Sequence, residues 1–109
     1  MSTLERLKVI AHGLAIQFGP SCEVLIHDLQ GDLDTSLVYI ENGTITNRHV
    51  GDGPSHAVLD VLSYDDGSEG RFGYLTKTKD GRILKSSTMY IRDDTGCIAY
   101  LLGINQDIT

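Results

Sequence analysis

The residues of this sequence that could act chemically lie in segments with a strand-like pattern. Cys22 and His27 come first, because a thiol beside an imidazole can serve as a nucleophile and its base. Their positions differ by five, and residues an odd number apart on a β-strand point to opposite faces. The sequence therefore predicts a small, packed Cys22 and no Cys–His dyad. His27 is either a polar anchor in a ligand cavity or a histidine satisfied by Asp28 or by the backbone.

Three consecutive hydroxyl residues, Ser86 to Thr88, follow Lys85 in another strand-like segment. Alternation places Ser86 and Thr88 on one face and Lys85 and Ser87 on the other. The residue types would allow a catalytic Ser–Lys pair, but no sequence signature of an oxyanion hole accompanies it. Buried hydroxyls need partners, so the pair that faces inward predicts either cross-strand hydrogen bonds or a bound polar ligand.

His49, Asp52 and His56 have metal-ligand side chains in an H-x-x-D-x-x-x-H spacing. Glycines and Pro54 between them interrupt any regular element that would hold the three side chains at fixed separations. Two histidines and one carboxylate in a loop are weak support for a metal site. We therefore predict no metal ligands.

The size and charge of the chain limit its function classes. Its 109 residues suffice for one domain with its own core, and a formal net charge of −6 disfavours binding of duplex nucleic acid, which rests on cations. The apolar runs stop after a few residues, far short of the roughly 20 that a membrane helix needs. Cys22 and Cys97 form no C-x-x-C motif, and the first residues lack a signal-peptide pattern. We expect a cytoplasmic chain with free thiols and no membrane partner.

The charge is unevenly distributed along the chain. Residues 71–92 carry six lysines and arginines against a single carboxylate, Asp80. One interpretation is a solvated hairpin whose cations keep strand edges from pairing with other chains. The other is a stripe that faces an anion or a partner.

The periodicity of the apolar residues predicts the elements that must position these side chains. Residues 4–18 read as an amphipathic helix with a Ser2–Glu5 capping box. Its apolar stripe consists of Leu4, Leu7, Ile10, Ala11, Leu14 and Phe18. A period of two then predicts strands at 22–29, 35–40, 72–79, 83–92 and 97–107.

The connections between these segments complete the predicted topology. Asn42-Gly43 reads as a tight turn into 44–46, and a short helix is expected from Pro54 through Leu62. Asp80-Gly81 reads as a two-residue type I′ hairpin turn, and Gly96 supplies a positive φ in the next connection. The order predicts an α+β domain with an antiparallel sheet of about five strands.

Four segments of the chain together have the form of a known family. Residues 91–96, followed by 102–109, contain an R-D-x-x-G turn and a last strand closing in G-I-x-x-D-I-T, which is the common PAS ending. Residues 19–29, 47–52 and 76–88 add further similar segments, of which C-E-V-L-I-H-D-L and K-S-S-T are the most distinctive pieces. The sequence resembles the YheO-like PAS family of bacterial regulators over nearly its whole length.

The resemblance implies a single PAS-like sensor domain over residues 1–109, with an N-terminal helix at 1–18 and a PAS core at 21–109. Short helices are then expected over one face of the sheet. In that family a C-terminal helix-turn-helix domain binds DNA. None follows within this chain, so we expect DNA contact only through such a domain outside it, whether the sequence is an isolated domain or a stand-alone sensor. Some PAS domains bind haem through a histidine, but nothing in the spacing favours this here, and we predict no cofactor.

By the resemblance, Asn105 on the last strand is a polar residue that faces the ligand cavity. That choice selects an inward set of Ala99, Leu101, Gly103 and Asn105. A four-residue turn at Asp93–Gly96 would add Ser86 and Thr88 to this face, whereas a three-residue turn with a bulge would add Lys85 and Ser87. The sequence leaves both registers open, and we favour the first. The predicted ligand-binding residues are Leu25, His27, Arg48, Ser86, Thr88, Leu101 and Asn105, with Arg48 in a loop over the cavity by the resemblance.

These observations favour a small-molecule sensor that works by binding and not by catalysis. A polar metabolite of unknown identity would shift a conformational or dimer equilibrium and pass the signal to a partner domain. The alternative is a ligand-free homodimerisation module that pairs through the stripe of Leu4, Leu7, Ile10 and Leu14. An enzyme on this scaffold is the third and weakest hypothesis, because no catalytic constellation survives the geometric arguments.

Overall fold

The computed structural model describes residues 1–53 and 56–109. Its helices and strands are α1 (Thr3–Phe18), β1 (Cys22–Asp28), β2 (Leu37–Glu41), α2 (His56–Ser63), β3 (Gly70–Lys77), β4 (Ile83–Arg92) and β5 (Ile98–Asp107). Two 3₁₀ turns, at Leu33–Thr35 and Gly43–Ile45, flank β2. The predicted helix start at Pro54 lies outside the described residues. No helix in the described ranges is long and apolar enough to span a membrane.

The five strands form one antiparallel sheet in the order β2-β1-β5-β4-β3. Strands β3, β4 and β5 form the predicted meander, and β1 pairs with β5, the last strand of the chain. The α+β class and the sheet of five antiparallel strands are therefore confirmed. The central position of β5 brings residues from both ends of the chain into one surface.

Helix α1 begins and packs as its sequence predicts, with one difference in its buried face. Ser2 and Glu5 form the complete capping box. Leu7, with Ala11 and Ala15, is buried against the sheet. Ile10, which the predicted stripe placed on this face, is 51% exposed, and Phe18 is equally exposed. The stripe was wrong at these two residues because Ile10 lies at the edge of the buried face and Phe18 is the last residue of the helix.

Three local predictions differ from the structure. Thr35 ends a 3₁₀ turn whose first residues are held by the Asp32 side chain, so β2 begins two residues later, at Leu37. Asn42 adopts a left-handed conformation with φ of 59° and leads into the second 3₁₀ turn. At Asp80-Gly81 only the glycine has a positive φ, 89°, and the Gly81 amide donates to the Thr78 carbonyl. This connection is a three-residue loop with a left-handed glycine, and the type I′ prediction was wrong.

The sheet has two buried faces made by alternate residues of the same strands. We call the face under α1 the helix face; its buried residues are Cys22, Val24, Ile26 and Leu102. We call the other face the cavity face; its residues include Glu23, Leu25, His27, Leu84, Ser86, Thr88, Leu101, Gly103 and Asn105. On the cavity face, Val58 and Val61 of α2 pack against Leu101.

Candidate functional site

The cavity face borders a cavity of about 950 Å³, which is within the size range of small-molecule sites. Strands β1, β4 and β5 form its floor, and residues 44–48 contribute to its wall. Six of the seven predicted binding residues line it, namely Leu25, His27, Arg48, Thr88, Leu101 and Asn105. The seventh, Ser86, is fully buried on the same face and bonds to Asn105.

The register of β4 and β5 decides which hydroxyls face the cavity. Ser86 pairs with Asn105, and Thr88 pairs with Gly103, so the favoured facing is confirmed, while the Lys85 side chain is exposed on the opposite face. The favoured four-residue turn was wrong, because the connection has a three-residue loop, closed by a hydrogen bond from the Asp93 amide to the Cys97 carbonyl. A register shift beside Ile91 then places one extra residue on β5. A three-residue loop with this bulge therefore turns Ser86 and Thr88 inward, and not Lys85 and Ser87, which we expected of that combination.

A row of hydrogen-bonded side chains crosses four strands of the cavity face. We call it the polar row, and it consists of Glu23, Asn105, Ser86 and Thr76. The Asn105 amide donates to Glu23 Oε1 over 2.8 Å, and the Ser86 hydroxyl donates to Asn105 Oδ1 over 2.7 Å. Thr76 Oγ1 and Ser86 Oγ lie 2.9 Å apart. Asn105 therefore joins the buried carboxylate to the hydroxyls, and each of these polar groups has a partner.

Glu23 is a residue of this site that the sequence prediction did not include. It is 0% exposed, and besides Asn105 it accepts a hydrogen bond from the Thr46 hydroxyl. Burial raises the pKa of its carboxyl, while the bonds from Thr46 and Asn105 and the charge of Arg48 oppose that rise. Strand alternation places Glu23 on the same face as His27, and a carboxylate at a core-facing position is the signal that could have identified it.

His27 has one satisfied ring nitrogen and one without a partner. Its Nδ1 lies 2.9 Å from the hydroxyl of Ser36, so neither Asp28 nor the backbone supplies the partner that one prediction proposed. Its Nε2 is buried and has no hydrogen-bond partner among the residues that the structure describes. Burial, helped by the charge of Arg48, lowers the pKa of His27 to about 4, and the ring is neutral at physiological pH. An unpartnered polar atom on a cavity-lining residue is a potential contact for a ligand.

Arg48 reaches the cavity from the loop that follows the second 3₁₀ turn. Its backbone amide donates to the Gly43 carbonyl over 3.1 Å, which anchors the loop. Its side chain is half-buried, and it forms no ion pair or side-chain hydrogen bond with any residue that the structure describes. The charge nevertheless acts on the pKa values of Glu23 and His27. The guanidinium group is therefore a free donor at the cavity.

Cys22 and His27 do not form a nucleophilic dyad. Cys22 is packed on the helix face while His27 lies on the cavity face, as strand alternation predicted. Burial raises the pKa of the Cys22 thiol, so a smaller fraction of the residue is in the reactive thiolate form. Ser87 accepts a hydrogen bond from the Gly73 amide, outside the cavity face, so it does not join Ser86 and Thr88.

The residues of the H-x-x-D-x-x-x-H spacing do not form a cluster in the described part of the chain. The His49 amide is bonded to Asp52 Oδ2 over 2.9 Å, which closes a turn within the loop. The side chain of His56 lies outside what the structure describes. In the described part of the chain, no three histidine, cysteine or acidic residues are grouped so that they could hold a metal ion.

Comparisons of the sequence with a family model and with known proteins agree on one family. A family model described as the YheO-like PAS domain matches residues 1–109. The protein YheO of Escherichia coli K12 is 33% identical over 107 residues, which are 96% of this chain and 44% of that protein. The transcriptional regulator DauR of Pseudomonas aeruginosa is 33% identical over 107 residues, covering 98% of this chain and 48% of the regulator. The chain spans less than half the length of these relatives.

Solved structures show the same fold at lower sequence identity. The dark structure of the LOV domain of the blue-light photoreceptor Aureochrome1 matches with a TM-score of 0.58 and 17% identity, over 100% of this chain and 85% of that one. A PAS domain from Colwellia psychrerythraea matches with a TM-score of 0.57 and 19% identity, over 94% of this chain and 98% of that one. At such identities the likeness establishes the fold and nothing about ligands.

Proposed function

The chain belongs to the YheO-like PAS domain family, and from that premise we propose that it is the small-molecule-sensing module of a bacterial transcriptional regulator. One observation carries the proposal. Polar side chains occupy buried positions around a cavity of about 950 Å³, and one of them, His27, has an unpartnered Nε2. Burying such groups lowers the stability of a fold, so their presence around a cavity favours a role in ligand recognition.

The proposed mechanism is reversible binding. A polar metabolite contacts His27, Arg48 and Asn105 and packs against Leu25 and Leu101. Because Asn105 also holds Glu23 and Ser86, a ligand that bonds to Asn105 competes with contacts between β1, β5 and β4. Such competition gives the ligand different affinities for two arrangements of the sheet, which is the requirement for a population shift.

We propose that the DNA-binding function resides in a further domain of the complete regulator. The relative DauR is a transcriptional regulator, and this chain corresponds to about half of it. The chain itself carries a formal net charge of −6, which disfavours direct phosphate contact. Cys22 and Cys97 are free, which fits a reducing cytoplasm, where such a regulator would act.

Titration calorimetry of ligand-free protein against a library of amino acids, organic acids, sugars and nucleosides tests the sensing role. We expect at least one class to bind, and we expect Asn105→Ala to weaken that binding. Ser87→Ala is the control. It truncates a polar side chain of β4 that lies outside the cavity face, and this variant should bind as the parent does. A library without any binder, together with an Asn105→Ala variant that alters only stability, would contradict the proposal.

A second candidate function, pairing with another copy of the chain, is favoured by the exposed side of α1. Val9 and Ile16, which are seven residues apart and therefore on one side of the helix, are 64% and 68% exposed. Leu7, by contrast, is buried within the chain, and Leu4 and Leu14 pack against that core, so they cannot supply the interface that the sequence suggested. Light scattering of the parent and of Ile16→Asp distinguishes the possibilities: a dimer that the substitution dissociates supports pairing, and a folded monomeric parent excludes it.

A further inference from the structure

We propose that the ligand of this cavity is a small monocarboxylate whose carboxylate group is bound by the guanidinium group of Arg48. This inference rests on the proposed sensing function and adds the chemical class of the molecule sensed. It follows from the charges around the cavity, from the unpaired state of Arg48 and from the neutral second anchor at His27.

The cavity has an excess of positive charge, although the whole chain is acidic. Its cationic residues are Arg48, Arg71, Lys77 and Lys79, and its described carboxylates outside the polar row are Asp60 and Asp80. Both carboxylates have ion-pair partners: Arg71 lies 3.8 Å from Asp60, and Arg82 lies 3.4 Å from Asp80. The remaining cations have no ion pair with any described residue, and a concave surface lined by one sign of charge concentrates counter-ions.

Arg48 is the deepest of these unpaired cations. Lys77 and Lys79 are exposed, whereas Arg48 is half-buried beside the polar row. The nearby carboxylate of Glu23 is bonded to Thr46 and Asn105, and it forms no ion pair with Arg48. The planar guanidinium group presents paired N–H donors that match the two oxygens of a carboxylate. A carboxylate ligand would supply the hydrogen-bond partner that this partly desolvated guanidinium group lacks.

His27 supplies a second contact without adding charge. Its Nε2 is buried on the cavity side, while Nδ1 is engaged by Ser36. The ring is neutral, so Nε2 can donate or accept one hydrogen bond according to its tautomer. One cation and one neutral polar group fit a ligand with a single negative charge and a second polar group. Apolar Leu25 and Leu101, which also line the cavity, would pack against its carbon skeleton.

Matched acid and amide pairs test the charge requirement directly. The full chain, labelled with ¹⁵N, is titrated with lactate and lactamide and with nicotinate and nicotinamide, while the Arg48 Nε–H signal is followed by NMR. We expect at least one acid to shift this signal and to bind about tenfold or more tightly than its amide, because the pair differs chiefly in the charge that Arg48 would meet.

Three variants make the test specific to Arg48. Arg48→Gln removes the charge and should weaken acid binding about tenfold or more, and Arg48→Lys keeps the charge without the paired donors and should bind with intermediate affinity. Arg6→Gln, on the exposed surface of α1, removes the same charge elsewhere and should bind acids as the parent does. Circular dichroism checks that each variant remains folded.

The outcomes separate this inference from the sensing function. Amides that bind in the cavity as tightly as the acids, or an Arg48→Gln variant that retains full acid binding, would overturn the carboxylate assignment and leave the sensor proposal standing. Acids that leave the Arg48 signal unmoved at low-millimolar concentration would overturn the assignment as well. Only a chain that binds no member of the broader library would overturn both.

Discussion

On β1, neighbouring residues point to two differently built surfaces. Val24 and Ile26 are completely buried against α1 in an apolar layer. Glu23 and His27, on the alternate positions, are just as buried but belong to a polar surface with a cavity beside it. The same strand therefore contributes to a close-packed interior on one side and to a polar, cavity-lining surface on the other.

The difference between the faces shows what each contributes. The helix face gains stability from apolar area removed from water and needs no particular polar partner. The cavity face holds a carboxylate with a raised pKa and an imidazole with an unpartnered nitrogen, and both reduce the stability that an apolar residue would provide. We infer that the helix face maintains the fold, and that the cavity face carries the function at some loss of stability.

The largest expected effect compares adjacent residues on the two faces. Ile26→Ala should lower the free energy of unfolding by about 2–5 kcal/mol, because it leaves a void in a close-packed layer. Leu25→Ala should cost at least about 1 kcal/mol less, because the Leu25 side chain already borders open space. Urea denaturation of both variants measures the difference. Equal losses would mean that the cavity face is packed as tightly as the helix face.

The next effect comes from His27 and appears as a dependence of stability on pH. Its pKa in the folded chain is lowered to about 4 from 6.5, so the folded state resists protonation more than the unfolded state does. His27 therefore contributes stability above pH 6.5 that is lost as pH falls towards 4, and the full loss amounts to about 3 kcal/mol.

NMR titration of the imidazole measures that pKa, and urea denaturation at several pH values measures the loss. His27→Gln is the comparison, since its stability should lack this component between pH 6.5 and 4. An imidazole that titrates at its ordinary value would show that His27 is solvated, and the polar surface would then be far more open than the structure indicates.

A smaller effect is expected from charging the polar row. Asn105→Asp places a second carboxylate at the position from which the Asn105 amide now donates to Glu23 over 2.8 Å. At neutral pH the variant should lose about 1–3 kcal/mol relative to the parent, and the deficit should shrink as pH falls and the carboxylate pair binds a proton.

Gln106→Glu is the matched control for that substitution. It adds the same charge at the next residue of β5, which is exposed. Its unfolding free energy should stay within about 0.5 kcal/mol of the parent at every pH tested. A deficit of Asn105→Asp that does not change with pH would show that repulsion by Glu23 is not its cause.

The smallest expected effect concerns the cover of the helix face. Ser2→Ala removes the side chain that accepts from the Glu5 amide over 3.1 Å. It should cost about 1 kcal/mol, and Thr3→Ala, beside it, should cost less. Because α1 does not line the cavity, ligand affinity should not change in either variant. A changed affinity would mean that the two faces are coupled.

Those parts of the fold that depend on local pattern could be predicted from the sequence. Alternation along β1 separated Cys22 from His27, and the capping box located the start of α1. The turn at Gly81 could not be predicted, because Asp-Gly fits both a type I′ turn and a loop with one left-handed glycine. The facing of Ser86 was favoured correctly, but a loop and a bulge together produced it, and their combination is a tertiary outcome.

The site itself was harder to predict than the elements that form it. Leu101 and Asn105 could be located from strand parity and the family resemblance. The contact of Glu23 with Asn105 depends on how β1 pairs with β5, which are far apart in the chain. Thr46 and Arg48 come from a loop whose path no periodicity specifies. The exposed side of α1 was missed because apolar residues on two sides of a helix cannot reveal which side faces the core.

Methyl NMR of two adjacent residue pairs tests the division of function between the faces most directly. Leu25 and Leu101 face the cavity, and their neighbours Ile26 and Leu102 pack on the helix face. We predict that any small molecule the chain binds shifts the methyl signals of Leu25 and Leu101 strongly while those of Ile26 and Leu102 move little. Equal methyl shifts on the two faces, or shifts confined to the helix face, would contradict the assignment of ligand recognition to the cavity face.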